Sequence, residues 1–325
     1  MKLVALTRVK IDGDVIEEFV RHTLQYVDEL FIVDNASPDA TREILQALQG
    51  EGLPLTILED DHVEVRADLI TNYVRDVFAR TGADYVLPLD ADEFLRVESR
   101  AALTAAFETL PPRTHGLVPW ITYVPVQQED RTEPRVLARI RYRLRKEPWQ
   151  FYKVFVSRSF AEEPGAAFIP GTHDVQLPDR TPLPKSALPG VALSHFPVRS
   201  IGQIQSKALL GWSAFLAVGY DLVPGHDAED GMAAQWRKLY EELRVDPNWS
   251  DDTFYRAAAN YFGNQAAASP ELVYDPLLPV PRHCTPAEPS LLVVAIAFTR
   301  HLVRSYAKLK RENQHLSAQL VSPAK

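Results

Sequence analysis

Three carboxylates fall within four residues at Asp90-Ala91-Asp92-Glu93, directly after the apolar run Leu87-Pro88-Leu89 and before Phe94. Such a run reads as a buried strand, and open parallel sheets bind ligands where their strands end. Carboxylates crowded there repel one another unless a positive charge sits among them. A hard divalent cation, magnesium or manganese, supplies that charge, and it commonly links one or two carboxylates to substrate phosphates. The plainer alternative is an acidic turn or the first turn of a helix. A second run, Leu30-Phe31-Ile32-Val33, ends in Asp34-Asn35, with Ser37-Pro38-Asp39 following. That places a carboxylate and an amide at the same sheet edge, groups that hydrogen-bond a base or a ribose. Asn35, Ser37 and Asp39 could equally build the turn, with Ser37 capping a helix that starts at Pro38.

Taken in order, strand-Asp34-Asn35-x-Ser37-x-Asp39-x-Thr41 and Leu89-Asp90-Ala91-Asp92-Glu93-Phe94 resemble the family-2-like glycosyltransferases of GT-A fold. Three later stretches are similar to the same Asp-x-Asp-Glu-Phe subgroup: Phe151-Tyr152-Lys153-Val154-Phe155, Gly171-Thr172-His173, and Ser194-His195-Phe196-Pro197-Val198-Arg199-Ser200 with Lys207 beyond. The resemblance implies a metal-dependent, inverting transfer of a sugar from a nucleoside-diphosphate-sugar donor to an acceptor hydroxyl on a glycan, lipid or small molecule. On that reading Thr7, Arg8, Asp34, Asn35, Asp90 and Lys153 bind the donor. Asp90 and Asp92 form the metal-and-diphosphate motif, Asp92 being the direct ligand, and His173 and His195 can each complete the metal set. Manganese or magnesium on the diphosphate would neutralise charge developing on the leaving group. The family's Glu-Asp pair on a later helix has no counterpart in this chain. Asp174, beside His173, and Glu93 are therefore the candidate general bases.

Two other classes compete. A haloacid-dehalogenase-type phosphatase also carries Asp-x-Asp after a strand, but on the first strand and with Thr or Val where this chain has Phe94. A non-catalytic scaffold of the same fold would keep the carboxylates without turnover. A sugar nucleotidyltransferase would need a glycine-rich basic loop after the first strand, which Leu6-Thr7-Arg8-Val9-Lys10-Ile11-Asp12-Gly13 does not supply.

The elements that must position these residues alternate over the first hundred positions. Apolar runs at Lys2–Thr7, Leu30–Val33, Leu55–Leu58 and Tyr85–Leu89 read as strands. Helical spacing separates them, with Asp14 and Glu17 as a capping box before the first helix. The expected class is α/β: a GT-A-like, mostly parallel sheet flanked by helices, then a helical region and a C-terminal amphipathic or coiled-coil helix. Strand-like runs follow at Leu117–Val126, Val136–Arg145, Phe151–Val156 and Val191–Phe196. In the second, Arg139, Arg141, Arg143 and Arg145 would share one face, either an anion site or a solvated surface. Trp120, Tyr123, Trp149 and Trp212 suit stacking on sugar rings or plain core packing. The expected organisation is a catalytic unit over 1–215, a helical extension over 216–275, a proline-rich linker over 276–289 and a tail over 290–325.

The tail carries Leu302, Leu309 and Leu316 seven apart, with Tyr306, Asn313 and Leu320 at the complementary heptad positions. This is either a short coiled coil that would form a homodimer or a single amphipathic helix on its own domain. Its basic residues Arg300, Arg304, Lys308, Lys310, Arg311 and Lys325 suit an anionic membrane face or a solvated one. The net charge of −8 argues against a nucleic-acid partner. The single Cys284 excludes an intrachain disulfide and a zinc–cysteine cluster. With no leader-like or membrane-spanning run, the expected location is cytoplasmic, with peripheral contact at the inner membrane face as an option.

Overall fold

The computed structural model describes residues 1–62, 67–217, 231–259, 261, 270–283 and 290–321. Its first part alternates as the apolar spacing requires: β1 (Leu3–Val9), α1 (Ile16–Thr23), β2 (Glu29–Asp34), α2 (Thr41–Gly50), β3 (Leu55–Glu59), α3 (Ala67–Thr81), β4 (Tyr85–Pro88), β5 (Glu93–Arg96) and α4 (Arg100–Glu108). β1 pairs in parallel with β2 and β4, and β2 with β3, which gives the order β4-β1-β2-β3. β1 shows why these strands open on runs of apolar residues rather than on alternation. Leu3, Ala5 and Val9 join one core cluster with Phe19 of α1 and Leu45 of α2, whereas Val4 and Leu6 join another with Val74 and Val77 of α3. A strand buried on both faces needs an apolar side chain at every position. The shared direction brings the carboxyl ends of all four strands to one edge of the sheet.

The next stretch continues the sheet mainly with antiparallel pairing. It comprises β6 (His115–Val124), α5 (Val136–Arg139), β7 (Tyr142–Leu144), β8 (Tyr152–Ser157), α6 (Ser159–Glu162), β9 (Ala167–Phe168), a 3-10 turn at Pro170–Thr172, β10 (Val175–Gln176), β11 (Lys185–Ala187) and β12 (Ala192–His195). β8 lies between β4 and β6, antiparallel to both, and β12 runs parallel to β6 and antiparallel to β5. This insertion carries Lys153 and His195 to the end of β4. The observed class is the expected one: a mixed sheet with a parallel first half, helices flanking it, and helices after it.

Those later elements are α7 (Ile201–Ala217), α8 (Gly231–Val245), α9 (Asp251–Ala259), β13 (Leu272–Tyr274) and α10 (Leu291–Val321). α7 to α9 close a third core cluster through Ile204, Ala208, Leu239 and Phe254, packed with Val124 and Leu144. α10 lies on α7, where Val294 and Phe298 are buried against Ile11 and Leu210, with Leu302 alongside. Burying two such side chains contributes roughly 1.5–3 kcal/mol each, enough to keep the helix seated. Leu302 thus packs on its own chain. Cys284, part of the 276–289 linker, and the side chains of Leu309, Asn313, Leu316 and Leu320 lie outside the described residues.

Three local expectations are corrected. α1 has no Asp14–Glu17 capping box: Val15 occupies the N-cap without a side-chain bond, and Asp14 pairs with Arg199 instead. α2 starts at Thr41 rather than Pro38. Ser37 does not cap it: the Ser37 amide donates to Asp34 Oδ1, and Asp39 Oδ1 accepts from the Thr41 amide and hydroxyl. Val136–Arg145 is not one strand. Its first four residues form α5, because the Glu18 carboxylate accepts the Val136 and Leu137 amides and fixes a helical turn. The four arginines therefore do not share a strand face. Arg139 pairs with Glu129, Arg143 with Asp275 and Arg145 with Glu271, while Arg141 stacks over Tyr274.

Candidate functional site

The edge where β1, β2, β3 and β4 end carries two polar clusters. The first is built from nearest neighbours in the sheet. Arg8 Nε donates to Asp60 Oδ2 at 2.7 Å, and Arg8 Nη2 donates to the His62 carbonyl at 3.0 Å. Asn35 Nδ2 donates to Asp60 Oδ2 at 3.0 Å and to the His62 carbonyl at 2.7 Å. The Asn35 carbonyl oxygen accepts from Lys10 Nζ at 3.1 Å. Burial, with Arg8 beside it, lowers the Lys10 ammonium to about 8. His301 of α10 completes this cluster from above: its Nδ1 lies 3.2 Å from Lys10 Nζ, and its Nε2 is 2.6 Å from the Asp61 carbonyl. Thr7 is buried here, its hydroxyl without a partner among the described residues. Asp34 is also buried, its second oxygen 4.0 Å from Arg42.

The second cluster surrounds Asp90 and Asp92. Their turn is closed from within, since Glu93 Oε2 accepts the Asp90 amide at 2.9 Å. Lys153, buried on β8, donates to Asp90 Oδ2 at 2.8 Å and to Thr172 Oγ1 at 3.0 Å, with Glu93 Oε1 at 3.4 Å. Burial pushes Glu93 well above the ordinary carboxylate range, and Lys153 only partly offsets it. Burial would lower Lys153, but Asp90 and Glu93 outweigh it and raise the ammonium above its ordinary value. The two oxygens of Asp92 face different groups. Oδ2 accepts from Lys207 Nζ at 2.6 Å and Arg199 Nη1 at 3.3 Å, whereas Oδ1 lies 3.7 Å from His195 Nε2. Burial alone would raise Asp92, yet Lys207, His195 and Arg199 hold it below the usual carboxylate range. Burial lowers His195 to about 4, so its imidazole is neutral at ordinary pH. Arg199 has no exposed surface and also pairs with Asp14 at 2.6 Å and Asp12 at 3.2 Å. Burial raises Asp12 to about 6 despite these cations.

Trp120 forms one wall. His195 lies against it at 4.3 Å between ring centroids, His173 meets it edge-on at 5.0 Å, and Lys153 Nζ is 5.7 Å from its ring. Of the other aromatic candidates, Tyr123 and Trp212 are core residues, and Trp149 is exposed. The Gly171-Thr172-His173 turn depends on its glycine. Gly171 has φ +78, and a Cβ there would sit 2.5 Å from His173 Nε2. Thr172 also adopts a left-handed conformation at φ 57, as do Ile11 at 60 and Ala36 at 49. Each of these flanks one of the two clusters, and strained backbone of this kind gathers at working sites.

The structure thus gathers Asp90, Asp92, Glu93, Lys153, His173 and His195 around one turn, and Thr7, Arg8, Asp34 and Asn35 around the adjoining strand ends. Asp174 stands differently. Its carboxylate accepts from Lys185 Nζ at 2.5 Å and from the Val175 amide at 2.6 Å. Sequence reading missed Asp60, although it closes the strand-like run Leu55–Leu58 after a single residue, Glu59, much as Asp34 and Asp90 close theirs. Donor atoms of Asp60, Asp61 and His62 lie within 4.8 Å of one another, a spacing compatible with a metal ion. His301 and the Asp12–Asp14 pair carried no local signal at all.

Residues 9–161 match the model of glycosyl transferase family 2, a stretch that contains Asp34, Asn35, Asp60, Asp90, Asp92, Glu93 and Lys153. None of the curated proteins matches the chain. Among solved structures, the chain is similar to the mannosyltransferase PcManGT from Pyrobaculum calidifontis in complex with GDP-Man and Mn2+. Identity is 16%, coverage 79% of this chain and 84% of that one, and the TM-score 0.38. It is also similar to S. aureus TarS 1-349 in complex with UDP, at 13% identity, 81% and 80% coverage and a TM-score of 0.36.

Proposed function

We propose that the protein is a glycosyltransferase that moves a sugar from a nucleoside-diphosphate-sugar donor to an acceptor hydroxyl with inversion. The observation that carries this reading is the arrangement of Asp92 at the end of β4, within the stretch that matches glycosyl transferase family 2. One oxygen is committed to Lys207 and Arg199, and the other faces the neutral His195. The family match also separates this reading from the phosphatase alternative.

The donor set fits a divalent cation. Asp92 Oδ1 and His195 Nε2 are close enough to share one ion, and a mixed oxygen–imidazole set suits manganese. Asp90 would add the more exposed carboxylate. When bound, the metal would supply positive charge to the leaving diphosphate. The chain's own groups do the rest. Arg8, Asn35 and the buried Thr7 hydroxyl line the strand ends where the nucleoside would lie, and Asp34 fixes the turn beside them. Lys153 is too deeply buried to reach a phosphate, so it acts by holding Asp90 in place. Glu93 is a positioning residue that closes the Asp90 turn. Asp174, beside His173, remains the candidate base for the acceptor proton, and it would have to leave Lys185 to take it.

The test is release of nucleoside diphosphate from a panel of nucleotide sugars in the presence of Mn2+ or Mg2+. One donor should be turned over, and Asp92→Asn should slow it by about 100-fold or more. Turnover of no donor, or equal turnover by Asp92→Asn, would refute the reading.

A further inference from the structure

α10 has two apolar faces, and among the described residues only one of them is packed on the fold. Val294, Phe298 and His301 point inward against α7 and the β1 edge. On the opposite side Leu292, Ile296 and Val303 stand outward, at 69%, 44% and 62% exposure, with Tyr306 on the flank at 70%. Their spacing of four and seven residues aligns them along one side of the helix. At 1.5 Å per residue, the row from Leu292 to Tyr306 runs for about 21 Å. Arg300, Arg304 and Lys310 are exposed along and beyond the row, and no Asp or Glu occurs between Ser290 and Arg311. None of the described helices is long and apolar enough to cross a membrane.

We propose that this outward face seats the protein on an anionic membrane surface. An apolar row bordered on its own helix by basic residues, of which Lys308 is paired with Asp61 while Arg300, Arg304 and Lys310 stand exposed, is the pattern of a helix lying in the plane of the lipid headgroups. Charge decides against a second copy of the chain. Two such faces laid together would oppose arginine to arginine, with no acid on α10 between Ser290 and Arg311 to relieve them. The heptad leucine that would favour pairing, Leu302, is turned onto the chain's own core. An anionic bilayer accepts both the apolar row and its border. The basic border stands out because the whole chain carries a net charge of −8. It gives an otherwise acidic molecule one orientation toward lipid. This surface does not depend on the chemistry at Asp92, so its failure and that of the transferase reading are distinguishable.

The test is co-sedimentation of the full chain with vesicles of phosphatidylcholine alone and with vesicles that also contain phosphatidylserine. The wild type should bind the second and not the first, and added salt should weaken binding. Arg300→Gln with Arg304→Gln should reduce binding roughly 30-fold, two basic side chains near the surface being removed. Ile296→Ser with Val303→Ser should abolish it. Both pairs are exposed, so unchanged thermal melts would confirm that folding is intact. No binding to phosphatidylserine vesicles by the wild type, or equal binding by both variants, overturns the proposal. So does a dimer by light scattering that Ile296→Ser with Val303→Ser converts to monomer without any vesicle binding.

Discussion

The two polar clusters share a sheet edge but are assembled in opposite ways. Around Arg8, Asn35 and Asp60 the partners come from adjacent parallel strands, and α10 alone among the described elements arrives from far along the chain, with His301 on Lys10 and Ser305 and Lys308 on Asp61. Around Asp92 the partners are His195, Arg199 and Lys207, each more than 100 residues away in sequence, with Arg199 reaching back to Asp12 and Asp14. The first cluster is partly open and holds one ion pair, Arg8 with Asp60, among hydrogen bonds to the neutral Asn35 and the His62 carbonyl. The second buries several charges together, which is tolerable only while every charge keeps its partner. Position at the sheet edge follows from strand order, whereas readiness for chemistry at Asp92 is a product of tertiary assembly.

Arg199→Met should have the largest effect. It leaves Asp12, Asp14 and Asp92 buried with too little positive charge, at an expected loss of about 3–5 kcal/mol in urea unfolding. A much smaller loss would mean that the second cluster does not depend on its long-range partner. Glu18→Gln probes the seam between the first part of the chain and the inserted stretch, where Glu18 accepts the Val136 and Leu137 amides. Burial raises the Glu18 carboxyl from 4.5 to about 7. The folded protein therefore keeps this proton to higher pH than the unfolded chain. The resulting stability is full below the unfolded value and is lost as pH rises through the folded one. Wild type should lose about 3 kcal/mol relative to Glu18→Gln across that window, measured by denaturation at several pH values. Arg8→Ala should have the smallest effect, about 1 kcal/mol, because Asp60 keeps the His62 amide, the His62 ring and Asn35. If it proved as damaging as Arg199→Met, the contrast between the clusters would collapse.

The same contrast explains what the sequence made legible. The strands β1 to β4 are built on apolar runs, and Asp34 and Asp90 close two of them, so both fold class and sheet edge could be read from local pattern. Asp14 looked like a helix cap because its true partner, Arg199, lies 185 positions away. Val136–Arg139 looked like a strand because the carboxylate that winds it into a helix belongs to α1. The heptad spacing in α10 was visible, but which of its faces meets the core depends on Ile11 and Leu210, which no local period reveals.

The most direct measurement is calorimetric titration of a panel of nucleoside diphosphates, with and without Mn2+, into wild type and Asp92→Asn. Ligand-free melts of both proteins would show that the variant is folded. One nucleotide should bind to the wild type, tightly only when Mn2+ is present, and Asp92→Asn should lose that metal-dependent gain. Binding that ignores both the metal and the substitution, or no binding by any nucleotide, would contradict the assignment of Asp92 as the centre of the donor site.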